Sequence, residues 1–351
     1  MCRLNGWFRA LVGVCVLGMA SVVLAQGSTA APQKPAGQAP AGPPLQLHSL
    51  DSMTQADPFP AINPRNFSAD SPSVATVESY LRAMIGYDPN RIWRVMAIQK
   101  TPAPGVSKVS ALISEKGPNQ KVLTATFYVL PDGKHLIAPD SSGLNNFGAA
   151  PFAENRAMLQ ARADGPYQGS ASKDLMLVEF SDLQCPHCKD AQAIMAKLVA
   201  DYPRARIVYQ AFPLVEIHPF AFQAAAYGAC VAKQNSAAFF TYAQAVYDTQ
   251  DGLTPDKGVD TLKAAVTKAG ADPAATATCA ATDAIKAEVE ASSKLATDLG
   301  VNETPELAVN GRLIPLTQVP YATLKLLINY QAEMDGVAAA AVGPPGSLLL
   351  K

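Results

Sequence analysis

Net charge is nearly absent from this 351-residue chain, where 28 Lys and Arg face 29 Asp and Glu and leave −1 with histidine neutral. A protein that grips nucleic acid needs a basic face for the phosphates. No stretch here gathers Lys and Arg on one side, so nucleic acid is excluded as a partner. The apolar run Ala10 to Ala25 counts 16 residues, short of the ~20 that span a bilayer. Zinc-type spacing is also lacking: Cys185 and Cys188 are followed by no second closely spaced pair of Cys or His, and a structural zinc wants four ligands. No internal repeat is visible.

What the amino terminus does carry is a basic start, Arg3 and Arg9, then the apolar run, then small residues at Ala20, Ser21 and Ala25 ahead of Gln26. That order is the pattern of a secretory signal, expected over residues 1–25. A retained amino-terminal anchor is the alternative, and the shortness of the run argues against it. Cys15 suggests a lipoprotein, but Val14 before it is bulkier than that processing site accepts. Without residues 1–25, 26 basic residues face 29 acidic ones, a balance of −3. The expected location is periplasmic or otherwise extracytoplasmic, with no stable membrane span in the mature chain. Cys2 and Cys15 leave with the signal, while Cys185, Cys188, Cys230 and Cys279 stay. An even number of cysteines in an oxidising compartment permits two disulfides.

Gln26 to Pro44 is Ala, Pro, Gly, Gln and Ser with almost nothing bulky to bury, and a disordered linker is expected over residues 26–69. At Asp70 the pattern turns helical: a capping residue and Pro72 precede Val74, Val77, Leu81, Met84 and Ile85 on one face. Apolar stretches at Ile92 to Ile98, Val106 to Ile113, Lys121 to Leu130 and His135 to Ala138, parted by Pro-Gly and Pro131-Asp132-Gly133 turns, predict an antiparallel sheet. The reading is a small α+β domain over 70–140. It has no clustered Cys, His or acidic ligand set, which suits a packing or interaction module. Residues 141–166 form a second linker with a short polar helix around Glu154 to Arg162, stopped by Gly165-Pro166. An apolar strand Leu175 to Phe180 then leads into the cysteine motif and a helix to about Ala200, followed by a strand from Ala205 to Phe212. The Ala-rich region from Pro219 to about Leu299 is helix-forming, broken near Gln234-Asn235, Asp251-Gly252 and Asp272-Pro273. Glu306 to Val309, the Asn310-Gly311 turn and Leu313-Ile314 predict a hairpin. A closing helix runs from about Val319 to Met334, and a flexible tail covers 336–351.

A strand that runs into Cys-x-x-Cys at the start of a helix is the arrangement thiol-disulfide exchange needs. Backbone N–H groups and the helix dipole there favour a thiolate on the first sulfur. Cys185 is the expected nucleophile, and Cys188, one turn along, the buried thiol that closes or resolves a disulfide with it. Pro186 and His187 between them set the redox poise. Each unit of lowered thiolate pKa is worth about 1.4 kcal/mol, or about 30 mV toward a stronger oxidant, and a protonated or hydrogen-bonding His187 pushes that way. A plain structural disulfide is the alternative, but it requires neither the strand before nor the helix after. Glu179, between Val178 and Phe180, is expected to be buried with a raised pKa; the alternative is a solvated edge carboxylate. Two unpaired thiols in an oxidising compartment would be unusual, so Cys230 and Cys279 are expected to form a structural disulfide, the alternative being two buried thiols acting as small apolar residues. His218, before Pro219, reads as a cap or surface residue, and Leu183 and Gln184 as the rim beside Cys185.

Val178 to Gln184 followed by Cys185-Pro186-His187-Cys188 resembles the DsbA-type thioredoxin-fold oxidoreductases, in which Pro-His is the usual dipeptide. The resemblance covers roughly Tyr167 to Met334. It implies an α/β, thioredoxin-like domain over 167–335 with a helical insertion at about 218–299, preceded by the small α+β domain. The 117-residue spacing of Cys188 and Pro305 fits that insertion. The resemblance further implies that Glu179 helps move the proton of the resolving cysteine. It also implies that Thr304-Pro305 is the cis-proline loop that faces the disulfide and pairs with an extended substrate. Thr304 stands where the best-known oxidases carry Val and is similar there to isomerase relatives.

The leading expectation is a dithiol oxidase that introduces disulfides into exported proteins, with no cofactor beyond the redox-active disulfide Cys185–Cys188 and no metal. Its partners would be reduced or misoxidised exported proteins and a redox partner that resets the site. An isomerase or reductase is the close alternative, with the amino-terminal domain building a homodimer. A non-catalytic peptide-binding chaperone is the remaining class, and the intact Cys-Pro-His-Cys argues against it.

Overall fold

The computed structural model describes residues 57–139 and 143–337. The expected signal segment 1–25, most of the linker 26–69 and most of the tail 336–351 lie outside them. The chain divides into two compact units, one comprising the part up to Pro72 together with Asn90–Asn145, the other Ser73–Pro89 and the part from Asn146 onward.

The first unit is an antiparallel sheet in sequence order: β1 (Arg91–Lys100), β2 (Ser107–Glu115), β3 (Leu123–Val129), β4 (His135–Ile137) and the two-residue β5 (Asn145–Asn146). Along β2 the buried residues Ser107, Val109, Ala111 and Ile113 alternate with half-buried Lys108, Ser110 and Leu112, the two-residue period of a sheet with one packed face. The Pro131-Asp132-Gly133 turn forms as its residues dictate. Gly133 takes a φ of +65°, and Asp132 Oδ1 accepts the N–H groups of Lys134 and His135.

The helix expected after Asp70 is α1 (Val74–Ile85), capped by Ser73 Oγ accepting from Thr76 N at 3.1 Å. It buries Val77, Leu81 and Ile85, whereas Val74, at the first helical position, is exposed. This helix belongs to the second unit, not to the sheet that follows it, so the α+β grouping over 70–140 is drawn differently in the structure. The cause is Arg312, a buried residue 1% exposed. Its guanidinium donates to the carbonyls of Ala83 and Met84 in the last turn of α1, and to Gln331 Oε1 at 3.1 Å. Last-turn carbonyls have no partner within their helix and attract a cation. Tyr330 donates to the neighbouring Arg82 carbonyl at 2.7 Å. Burial lowers the Arg312 pKa to about 10.

The second unit holds α2 (Ala153–Arg162), β6 (Tyr167–Gly169), β7 (Met176–Ser181), α3 (Pro186–Asp201) and β8 (Arg206–Ala211). Helices α4 (Ala221–Gln234), α5 (Ser236–Asp248), α6 (Gly258–Lys268), α7 (Pro273–Ala280) and α8 (Asp283–Asp298) follow, then β9 (Glu306–Val309), β10 (Arg312–Pro315) and α9 (Tyr321–Met334). The sheet order is β10-β9-β7-β8-β6, with only β7 and β8 parallel. This is the thioredoxin-like fold with a helical insertion between β8 and β9. Strand β6 was not expected: three residues, Tyr-Gln-Gly, are too few to show alternation. Central β7 is buried on both faces. One face packs Leu177, Leu307 and Val309 against α3 and α9. The other packs Val178, Phe180 and Ala308 against Leu159 of α2 and Leu295 of α8.

The β9–β10 turn needs its Asn-Gly. Asn310 and Gly311 have φ of +45° and +95°, and a Cβ on Gly311 would lie 2.6 Å from both Arg156 N and Phe152 O. The helical insertion has its own core of Tyr227, Val231, Phe239, Tyr242, Val246 and Leu262, with Leu183, Cys185, Cys188 and Tyr209 in the same cluster. Cys230 of α4 and Cys279 of α7 are joined in a disulfide. Among the described residues, no helix is long and apolar enough to cross a membrane.

Two stability outcomes follow. Arg312→Met strands the last-turn carbonyls of α1 and is expected to cost about 3 kcal/mol, read as a lowered urea midpoint. Cys230→Ala/Cys279→Ala opens a loop with a sequence separation of 49, at an expected cost of about 4 kcal/mol by the loop-entropy relation; an unchanged thermal midpoint would refute it.

Candidate active site

Strand β7 ends at Ser181, and the four residues Asp182 to Cys185 turn the chain into α3. Cys185 is the N-cap residue of that helix and Pro186 its first helical residue, where a missing N–H costs nothing. The loop is fastened from within. Asp182 O accepts from Cys185 N at 3.1 Å, and Asp182 Oδ1 from Gln184 N at 2.8 Å. It is also fastened to the helical insertion. Gln250 donates to the carbonyls of Leu183 and Cys185 at 2.9 and 3.0 Å, Phe220 N donates to Gln184 Oε1 at 2.7 Å, and Gln184 Nε2 to Leu253 O at 3.3 Å. Leu183, expected at the rim, is 1% exposed and packs into the insertion core.

Cys185 and Cys188 are both unpaired thiols here, 4% and 0% exposed. The Cys188 thiol, donating to Cys185 Sγ, is the largest influence on Cys185; the Thr304 contact and the backbone N–H groups of Cys188 and His187 add to it against burial, and the Cys185 pKa falls to about 5. Cys188 moves the other way, driven up first by burial and then by its neighbour. The two sulfurs therefore have divided roles. His187 is exposed, and its backbone N–H is among the groups that lower the Cys185 pKa.

The Thr304–Pro305 bond is cis, and the Thr304 carbonyl lies 3.7 Å from Cys185 Sγ. Pro305 thus stands beside the cysteine motif at the head of β9. Thr304 is 9% exposed. Glu179, 3% exposed, accepts from Ser181 Oγ at 2.9 Å and Gln192 Nε2 at 3.2 Å. Burial outweighs both bonds and raises its pKa to about 7.

Three features escaped the sequence reading. Asp182 is buried and accepts from Leu214 N at 2.9 Å and pairs with His218 Nδ1 at 2.7 Å, so His218 is neither a free surface residue nor a simple cap. Glu306, directly after Pro305, is buried, with its pKa raised to about 8 by burial and by Glu303. Ser181 lies between Glu179 and Tyr247 OH, the latter at 3.0 Å. An acidic residue three before Cys185 and a His-Pro at the mouth of the insertion are the sequence signals that could have drawn the first pair together. Among the described residues, no group of three His, Cys, Asp or Glu could hold a metal ion.

A dithiol centre at a helix N-terminus, opposite a cis-proline loop on a thioredoxin-like sheet, defines the class. Residues 162–329 match the family model described as Thioredoxin. The sodium/proton antiporter NhaA 3 of Salinispora tropica is 32% identical over 88 residues, 25% of this chain and 13% of the antiporter. NhaA 1 of Mycolicibacterium vanbaalenii is 31% identical over 119 residues, 34% of this chain and 17% of that protein. The chain thus spans less than a fifth of either relative. Among solved structures, a periplasmic thioredoxin-like protein from Salmonella enterica serovar Typhimurium is 24% identical, with 52% of this chain and 97% of that chain covered and a TM-score of 0.43. The thiol-disulfide exchange protein alpha-DsbA2 from Wolbachia pipientis is 20% identical over 52% of this chain and 99% of that chain, with a TM-score of 0.44.

The divided pKa values have a direct readout. In the reduced protein, alkylation by iodoacetamide is expected at Cys185 alone, with a rate that rises to a plateau through a midpoint near 5. A folded-state pKa below the unfolded value stabilises the reduced fold at high pH, and the gain is lost as pH falls through about 5. A midpoint above about 8, in the range of an ordinary thiol, would refute the assignment.

Proposed function

We propose that this protein is an exported thiol-disulfide oxidoreductase working as a dithiol oxidase through Cys185 and Cys188. The observation that carries this is the stabilised Cys185 thiolate beside a Cys188 held as thiol. Whatever stabilises the thiolate stabilises the reduced pair, so on this reading the Cys185–Cys188 disulfide is readily reduced and oxidises other dithiols. A depression from 9.0 to about 5 corresponds to a potential on the order of 100 mV more oxidising than an unperturbed pair. A substrate thiolate attacks Cys185 Sγ and Cys188 leaves. The substrate's second thiolate then attacks its own sulfur in the mixed disulfide and releases Cys185. The product is an oxidised substrate and a reduced site, which a separate redox partner resets. Reduced exported proteins are the substrate class, and the sequence pattern of residues 1–25 supports a periplasmic or otherwise extracytoplasmic location.

Isomerase or reductase work is the second reading, favoured by Thr304 before Pro305 and by the separate amino-terminal unit. That reading calls for a homodimer, and a monomeric mass in solution would remove its main support.

The oxidase reading is checked by reoxidation of a reduced test protein with oxidised enzyme in stoichiometric excess. Wild type is expected to oxidise it within minutes, and Cys185→Ser to lose the activity by at least about a thousandfold, the scale on which removal of an essential nucleophile acts. Equal rates for the two proteins would defeat the catalytic reading and favour a binding role.

A further inference from the structure

His218 lies just ahead of Phe220, the N-cap of α4, in the turn by which the chain enters the helical insertion. Its backbone fixes that turn: the N–H donates to Leu214 O at 2.9 Å and the carbonyl accepts from Ala221 N at 3.1 Å. The side chain is 16% exposed and sets ring Nδ1 on Asp182 Oδ2 at 2.7 Å. Leu214 N donates to the same oxygen at 2.9 Å, and Gln184 N to Oδ1 at 2.8 Å. The Asp182 side chain has no surface open to water, so these three donors stand in for solvent. An ionised carboxylate only accepts, which puts the proton of the ring contact on Nδ1. The same aspartate reaches both cysteines through its backbone. Asp182 O accepts from Cys185 N at 3.1 Å, and Asp182 N donates to Cys188 Sγ at 3.4 Å, a contact that favours charge on that sulfur.

The geometry points to His218 as a positioning residue for the redox pair: by donating Nδ1–H to the buried Asp182 carboxylate, it keeps Asp182 N on Cys188 Sγ and Asp182 O on Cys185 N. This rests on the thiol-exchange reading of the cysteines and gives the helical insertion a part in their chemistry. When a substrate thiolate opens the disulfide, its sulfur bonds to Cys185 Sγ, the Cys185–Cys188 bond breaks, and the electron pair leaves on Cys188. Asp182 N is an N–H donor already in place to meet that charge. Among the described residues the His218 ring bonds to Asp182 and to neither sulfur, so its effect passes through the aspartate. Without the ring N–H, Asp182 Oδ2 keeps Leu214 N alone. A buried anionic acceptor short of a partner is costly enough to move the side chain and the loop that carries it. Such a movement weakens the support for charge on both sulfurs, so the reduced pair loses stability that the disulfide does not. A residue that merely packs stabilises both redox forms alike and leaves the balance between them unmoved.

The test is the redox equilibrium of the full chain with glutathione, measured for wild type and two variants. His218→Phe keeps a ring without the donor, and His218→Asn supplies a side-chain N–H at the place of Nδ1. His218→Phe is expected to shift the equilibrium at least about tenfold toward the Cys185–Cys188 disulfide, which is about 30 mV more reducing. Opening of the disulfide by reduced glutathione is expected to slow by a similar factor. His218→Asn is expected to stay within about threefold of wild type in both, because the donor is restored. An unchanged equilibrium in His218→Phe, with or without a lowered thermal midpoint, would overturn the role and leave His218 a packing residue. Equal losses in the two variants would overturn it as well. Should His218→Phe not fold, nitrogen-15 NMR of the wild-type histidine ring decides. A proton on Nδ1 in both redox forms, with ring shifts that differ between them, supports the role. A neutral ring protonated at Nε2 alone, or ring shifts identical in the two forms, overturns it. A wild-type pair that does not exchange with glutathione at all would instead overturn the thiol-exchange reading itself, and the positioning role with it.

Discussion

The sulfur of Cys185 is more stable as an anion than as a thiol, and the rest of the site is built around that preference. Helix α3 begins at this residue, so its first N–H groups and the neighbouring thiol point at one sulfur. Cys188, one turn further into the same helix, has lost its water and faces protein on every side. Charge on the pair is therefore stable at one end only. A disulfide closed across these two positions forfeits that stabilisation, which is the physical basis of the proposed oxidase reading.

Holding that geometry requires the loop before α3 to stay in place, and the helical insertion does the holding. Gln184, Gln250, Phe220 and Leu253 form a set of hydrogen bonds between loop and insertion, and Asp182 to His218 and Leu214 N forms a second. The insertion is in turn braced by its own disulfide between α4 and α7. Glu179 and Ser181 belong to the central strand, which is buried along its whole length. Arg312 performs a comparable service at the opposite end of the sequence, anchoring α1 to the thioredoxin-like unit.

Much of this was legible in the amino-acid order because local signals are strong where the backbone leaves few choices. Ser73 before an apolar stripe, Pro131-Asp132-Gly133, Asn310-Gly311 and Cys-Pro-His-Cys each specify a conformation within a few residues, and the elements beside them lie where the pattern puts them. The three-residue β6 was too short to carry a period. The assignment of α1 to the second unit depends on Arg312, more than two hundred residues away, and no local pattern announces such a contact. The site divides along the same line. Cys185, Cys188, Glu179 and Thr304-Pro305 stand out by type and spacing, whereas Asp182–His218, Glu306 and Ser181–Tyr247 become partners only once the chain is folded.

The reduction potential of the Cys185–Cys188 couple, measured in a glutathione buffer on the full chain, bears most directly on this account. The depressed Cys185 pKa predicts a value above about −180 mV, on the side of strong protein oxidants. A value near about −270 mV, where reducing thioredoxins lie, would contradict it.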